Sequence, residues 1–278
     1  MIISALCFAL MSAAVKYAVY IPFIQKVFFR NFIMMLIVTP VLGLKMRRSG
    51  SRDVFIGPSR QRLRLLFRSL TGFLGVLLYF YSVGELQLGD SAMLNKLSAF
   101  FVIIFSSLFL GEHLRRYQIP ALAAAFGGAL LIIKPGFNLQ IVPALAGLGA
   151  AVLAATAYTI IASLRGRVQS LTIIFWFSTI STIASAGPML AVFKRPNTLE
   201  LAALVLTGVF AAGGQYFLTL AYSYGRPGDV SIYNYTHVIF SALIGFFLWN
   251  ELPDLFTIAG AALIIGAAIF LYLKGRKQ

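Results

Sequence analysis

The sequence predicts an all-α polytopic membrane protein with ten transmembrane helices arranged as two inverted five-helix repeats. Three observations predict it: composition, the spacing of apolar runs, and a self-match at half the chain length. Of 278 residues, 60% are hydrophobic and 11% charged, with a mean hydropathy of +0.89. Soluble domains carry about 25% charged residues, so a soluble fold is excluded. A span plus a short connection takes roughly 25 to 30 residues, which leaves room for about nine to eleven spans and no separate extramembrane domain.

Apolar runs bounded by Gly, Pro or charge fall at 1–20, 24–44, 65–84, 90–111 and 117–133 in the first half, and at 141–164, 171–193, 200–222, 229–249 and 255–273 in the second. The first run lacks a basic leader and a small-residue cleavage site, so it reads as a span and not as a signal peptide. Each run is a helix, because lipid offers the backbone no hydrogen-bond partner and no period-two alternation suggests barrel strands. The connection from about Lys45 to Arg64 is the longest and is basic, which suits an anchor at anionic lipid.

The formal charge of +15 is read through topology. Most Lys and Arg residues fall in alternate connections and in the C-terminal tail, which places both termini in the cytoplasm of a bacterial-type inner membrane. No continuous basic face is left for nucleic acid. Cys7 is the single cysteine, which removes a disulfide framework, and no spacing suggests a metal site, a phosphate loop or a catalytic pair. No cofactor is expected.

A shift of 139 residues aligns the halves without a gap, dividing the chain into repeats 1–139 and 140–278. Gly75 then meets Gly214, Gly89-Asp90 meets Gly228-Asp229, Asn95 meets Asn234, Phe101 meets Phe240, Glu112 meets Glu251, and Gly127 meets Gly266. Five spans per half invert the second copy, an architecture of secondary transporters with a site between the halves.

The blocks GDSAMLNKLSAFFVIIFSSLFLGEHL at 89–114 and GDVSIYNYTHVIFSALIGFFLWNEL at 228–252 resemble the two signature regions of the drug/metabolite transporter superfamily, and in particular its EamA-type ten-helix permeases. Arg30 in KVFFRNF, early in the second span, is similar to that family as well. The resemblance implies two bundles around a central cavity, the fifth and tenth helices peripheral, a small metabolite as substrate, and export favoured over import.

The residues themselves single out several candidates. Ser91, Asn95, Ser98 and Ser106 form one polar stripe on the fourth span, mirrored by Asn234, His237 and Ser241 on the ninth. Lys96 lies roughly 9 Å inside its helix, Lys16 about 6 Å from a helix end and Arg30 at similar depth, and bases at such depth are functional hypotheses by default. The expected binding set is Asn95, Lys96, Asn234, Tyr235 and His237, with Gln215, Lys16 and Arg30 secondary. Asp90, Glu112, Asp229 and Glu251 are read as helix-end or gating groups, the aspartates as caps. The intramembrane bases favour a solute with a carboxylate, amino acids included. Snorkelling and interhelical hydrogen bonds are the structural alternatives for these side chains. Small residues at Ala121, Ala125 and Ala129, and at Ala262 and Gly266, suit either bundle packing or a homodimer contact. A polytopic enzyme acting on a lipid-linked phosphate, or a channel, remains the alternative to a transporter at this point.

Overall fold

The structure, a computed structural model, describes residues 1–51, 53–110, 116–133, 141–224 and 232–276. Among these the regular structure is entirely helical. The helices are α1 (Ile2–Tyr17), α2 (Phe23–Ser49), the short α3 (Asp53–Ile56), α4 (Arg62–Glu85), α5 (Leu88–Lys96), α6 (Ser98–Leu110), α7 (Gln118–Ile133), α8 (Ile141–Leu164), α9 (Ser170–Ala191), α10 (Thr198–Tyr224), α11 (Thr236–Trp249) and α12 (Leu255–Arg276). Among the described residues, seven stretches are long and apolar enough to cross a membrane, and three shorter apolar helices accompany them. The protein is an integral membrane protein.

Three segments depart from the expected spans. The second span continues as helix through the basic residues to Ser49, and Gly50 ends it in the left-handed conformation at φ 66°, where a side chain would be strained. The fourth span is two helices, α5 and α6, separated at Leu97. At the position shifted by 139 residues, a 3-10 turn (Ile232–Tyr235) gives way to α11 at Thr236. Helix irregularities within apolar spans commonly mark functional sites, and here the turn at Leu97 and the 3-10 segment at Ile232–Tyr235 flank Lys96 and His237, which line the central cavity.

Packing pairs elements from opposite halves. α1 lies on α10 as α4 lies on α8, and α2 lies on α10 as α4 lies on α9. α1 meets α11, while α8 meets α5 and α6. α2 against α9, α5 against α11, and α7 against α12 each join an element to its counterpart. α7 and α12 touch mainly each other, through Gly128 and Gly260: a Cβ on Gly128 would stand 2.6 Å from the Gly260 carbonyl oxygen. Ala121, Ala125 and Ala129 are buried in the bundle, whereas Ala262 and Gly266 face outward, so the second small-residue stripe is not the one that packs.

Candidate functional site

A cavity of about 80 Å³ lies at the centre, walled by α1, α2, α4, α5, α8, α9, α10 and α11. That volume holds several waters. A larger pocket of about 180 Å³ between α5, α11 and α12 combines apolar side chains such as Met93, Val238 and Ile258 with Gln87, Asp90, Glu251 and Thr257, and its Glu251 is already engaged by Lys16 and the Leu88 amide, whereas the central cavity holds bases with unmet donors. The central cavity is therefore the candidate site.

Its charge is unusual for a membrane interior. Arg30, Arg68 and Lys96 all line it, at 3%, 2% and 6% exposure, and none of its described lining residues is Asp or Glu. α2 delivers Arg30, whose guanidinium donates to Asn31 Oδ1 at 2.7 Å and lies 5.3 Å from the centre of the Phe177 ring. α4 delivers Arg68, 4.1 Å from the same ring. Gly72 on α4 leaves room for it, since a Cβ there would stand 2.9 Å from Arg68 Nη1 and 3.0 Å from the Phe177 ring. Among the described residues, Arg30 Nε and both Nε and Nη1 of Arg68 are buried without a hydrogen-bond partner. Cation–π contacts supply about 2 kcal/mol at best, against a burial cost of several kcal/mol per charge. The arrangement is suited to receiving an anion.

The opposite part of the cavity is built by α5, α10 and α11. Lys96 and half-buried Asn95 end α5, just before the break at Leu97. His237 starts α11, is fully buried, and has an Nδ1 without a partner. Gln215 comes from α10 and donates weakly to Thr219 Oγ1 at 3.4 Å. Tyr79 on α4 shares a 2.9 Å hydrogen bond with Ser12.

Of the expected binding residues, the structure brings together Asn95, Lys96, His237, Gln215 and Arg30. It does not bring Lys16, which forms an ion pair with Glu251 and donates to the Leu86 carbonyl at 2.7 Å. Tyr235 does not line the cavity either: it is buried in an apolar cluster with Leu94, Leu97 and Val238, because the 3-10 turn rotates it away from the register of Lys96. Asp90 lies in the first turn of α5, and no side chain caps its Gln87 N-cap. Glu251 instead accepts the Leu88 amide at 2.9 Å, so a carboxylate from the other half supports that helix start. Ser91 serves structure, donating to the Ser82 carbonyl at 3.1 Å. Glu112, Asp229 and the side chain of Asn234 lie outside the described residues.

Arg68, Tyr158 and Phe177 are cavity residues that sequence reasoning did not single out. Arg68 lies one turn into the apolar run 65–84, just past the basic connection that ends at Arg64, and position alone does not distinguish it from an interfacial base. The signal was its position on one helical face with Gly72 and Gly75, a small-residue face below a base.

A helical bundle with a central polar cavity and helices broken beside it is the build of a membrane transporter. The EamA-like transporter family matches residues 1–134 and again 142–273, and the chain belongs to that family. The pseudopaline exporter CntI of Pseudomonas aeruginosa is 37% identical over 97% of this chain and 93% of its own. Human solute carrier family 35 member G1 is 26% identical over 99% of this chain and 80% of its own. The riboflavin transporter of Rhizobium johnstonii is 31% identical over 75% and 69% of the two chains. A crystal structure with 18% identity superposes at a TM-score of 0.68 over 99% of this chain and 97% of the other, which shows the shared fold. The protein is a transporter and not an enzyme, with a small-molecule substrate.

Proposed function

We propose that the protein exports a small carboxylate-bearing metabolite, amino acids included, across a bacterial-type inner membrane by alternating access. The observation that carries this reading is the central cavity with Arg30, Arg68 and Lys96 and no acidic residue among its described lining. An anion entering it would gain charge-assisted hydrogen bonds from Arg30 Nε and from Arg68 Nε and Nη1, which make none among the described residues. Export is supported by the exporter similar over nearly its whole length, and pseudopaline is accordingly one probe to test.

The moving parts are two inverted repeats, 1–139 and 140–278, with both termini cytoplasmic. Two matches to one family and the pairing of counterpart helices support that division. In this orientation the Lys16–Glu251 pair, tied to Leu86 and Leu88, closes the outer end as a gate. The outward Ala262–Gly266 face is where a homodimer contact would form.

Counterflow in proteoliposomes tests the reading. Labelled carboxylates or amino acids should accumulate against unlabelled internal solute, and Lys96→Ala should abolish that accumulation. If only cationic or uncharged solutes exchange, the anionic reading is lost.

A further inference from the structure

At about 80 Å³ the central cavity has room for several waters and too little for a metabolite of more than a few atoms, so a solute enters only when one end of the bundle parts. α4 shows where the two ends are. Just past its C-terminal end, Lys16 and Glu251 hold the Leu86 carbonyl and the Leu88 amide. Its cavity-lining residues run from Arg68 to Phe80. At its other end Leu65 lies against Gly57, where a Cβ would stand 2.9 Å from Leu65 Cδ1. From Leu65 to Leu86 is about 30 Å at 1.5 Å per residue, the thickness of the apolar core of a bilayer. The short helix α3, which Gly57 follows, therefore sits at the face opposite the Lys16–Glu251 pair, one helical turn from the level of Arg68.

α3 is held in place from outside itself. A helix of four residues has no stability of its own. Pro58 has no amide to give the Val54 carbonyl four residues back, and Gly57, at φ 69°, turns the chain out of the helix. α9, from the other half of the chain, supplies the missing donors. Thr172 Oγ1 donates to the Val54 carbonyl at 2.6 Å, and Trp176 Nε1 donates to the Phe55 carbonyl at 3.1 Å. The Phe55 ring meets Phe175 edge-on at 5.1 Å, and Val54 is buried in one apolar cluster with Leu42, Ile174 and Phe177. Phe177 is the ring beside which Arg30 and Arg68 lie. α3 thus bridges the two halves at the arginine end of the cavity.

In the alternating-access cycle proposed above, on which this rests, we infer that α3 is the second gate, cytoplasmic in that orientation, and that its release from Thr172 and Trp176 opens the cavity from that side. Its ties are side-chain hydrogen bonds and aromatic edges, so it leaves α9 without breaking a backbone bond of α4 or α9. The opposite end is closed by an ion pair, so the two gates can be opened separately by substitution.

The test places one thiol on the cavity wall, as Val76→Cys in a Cys7→Ala background. Its rate of modification by the membrane-impermeant 2-sulfonatoethyl methanethiosulfonate is read in inside-out and in right-side-out vesicles. Thr172→Val with Trp176→Phe should raise the cytoplasmic rate about tenfold and leave the external rate within about twofold, the worth of two neutral hydrogen bonds at one end. Glu251→Gln should raise the external rate alone. Pro58→Ala, which returns a backbone donor to the Val54 carbonyl, should raise the cytoplasmic rate about twofold to threefold. A cytoplasmic rate unmoved by the double substitution, a rise from the external face alone, or an equal rise from both faces makes α3 scaffold and overturns the gate. Counterflow of labelled carboxylates by the parent protein reads the transport proposal separately: accumulation with unmoved rates removes only the gate, and a raised cytoplasmic rate without accumulation removes only the carboxylate solute. Where the double variant does not fold, Trp176→Phe alone, which keeps a ring and removes one donor, decides by a cytoplasmic rise of about threefold.

Discussion

Lys16 and Arg68 are both bases set in apolar helices, and the structure treats them in opposite ways. Lys16 has a carboxylate in Glu251, a carbonyl in Leu86, the Trp249 ring at 5.8 Å, and a side chain still 16% exposed. Arg68 is 2% exposed, has an aromatic face, and keeps two guanidinium nitrogens without a hydrogen-bond partner among the described residues. A membrane base with a full set of local partners is part of the scaffold. One that is buried with unused donors is poised for a ligand, because leaving such a group without partners costs stability that binding can recover.

The largest expected effect comes from breaking the comparison at Arg68. Arg68→Gln should lower apparent substrate affinity in counterflow by about tenfold to a hundredfold, the worth of hydrogen bonds to a charged group. Its melting temperature should stay level or rise, since an uncompensated buried charge is removed. A large fall in melting temperature with affinity intact would make Arg68 scaffold after all.

Glu251→Gln should do the reverse. It leaves Lys16 without its counter-charge and should destabilise by about 2 to 3 kcal/mol, the low end for a pair that keeps some exposure. Equilibrium binding in the cavity should change little, which calorimetric titration would show. Lys16→Met combined with Glu251→Gln sharpens the point, because the amide still accepts from Leu88 while no charge is orphaned. Most of the loss should return, leaving about 1 kcal/mol in chemical denaturation. Smallest is Trp249→Leu, which removes a ring at 5.8 Å from Lys16 and should cost about 0.5 to 1 kcal/mol of the pair beyond the packing change. A double-mutant cycle with Lys16→Met isolates that part.

Much of the cavity was legible along the chain because polar groups inside apolar runs are few and each must be explained. Asn95, Lys96, His237, Gln215 and Arg30 stood out for that reason. Tyr235 was over-read from the symmetry with Lys96, since a 3-10 turn advances side chains by a different angle than the α-helix opposite it. Tyr158 and Phe177 gave no signal, because an aromatic residue in an apolar span looks the same whether it packs in a core or faces a cavity.

The sequence by itself determined that this chain is a helical membrane protein, with spans and counterpart positions in the two halves, because lipid forces every backbone group to pair within its own segment and apolar length then counts the crossings. Only the tertiary structure decided which bases are neutralised and which are left to a solute. The partner of Lys16 lies 235 residues away and Arg68 meets Phe177 from another helix, so the net charge of the cavity is a property of how the helices cross and of no single segment.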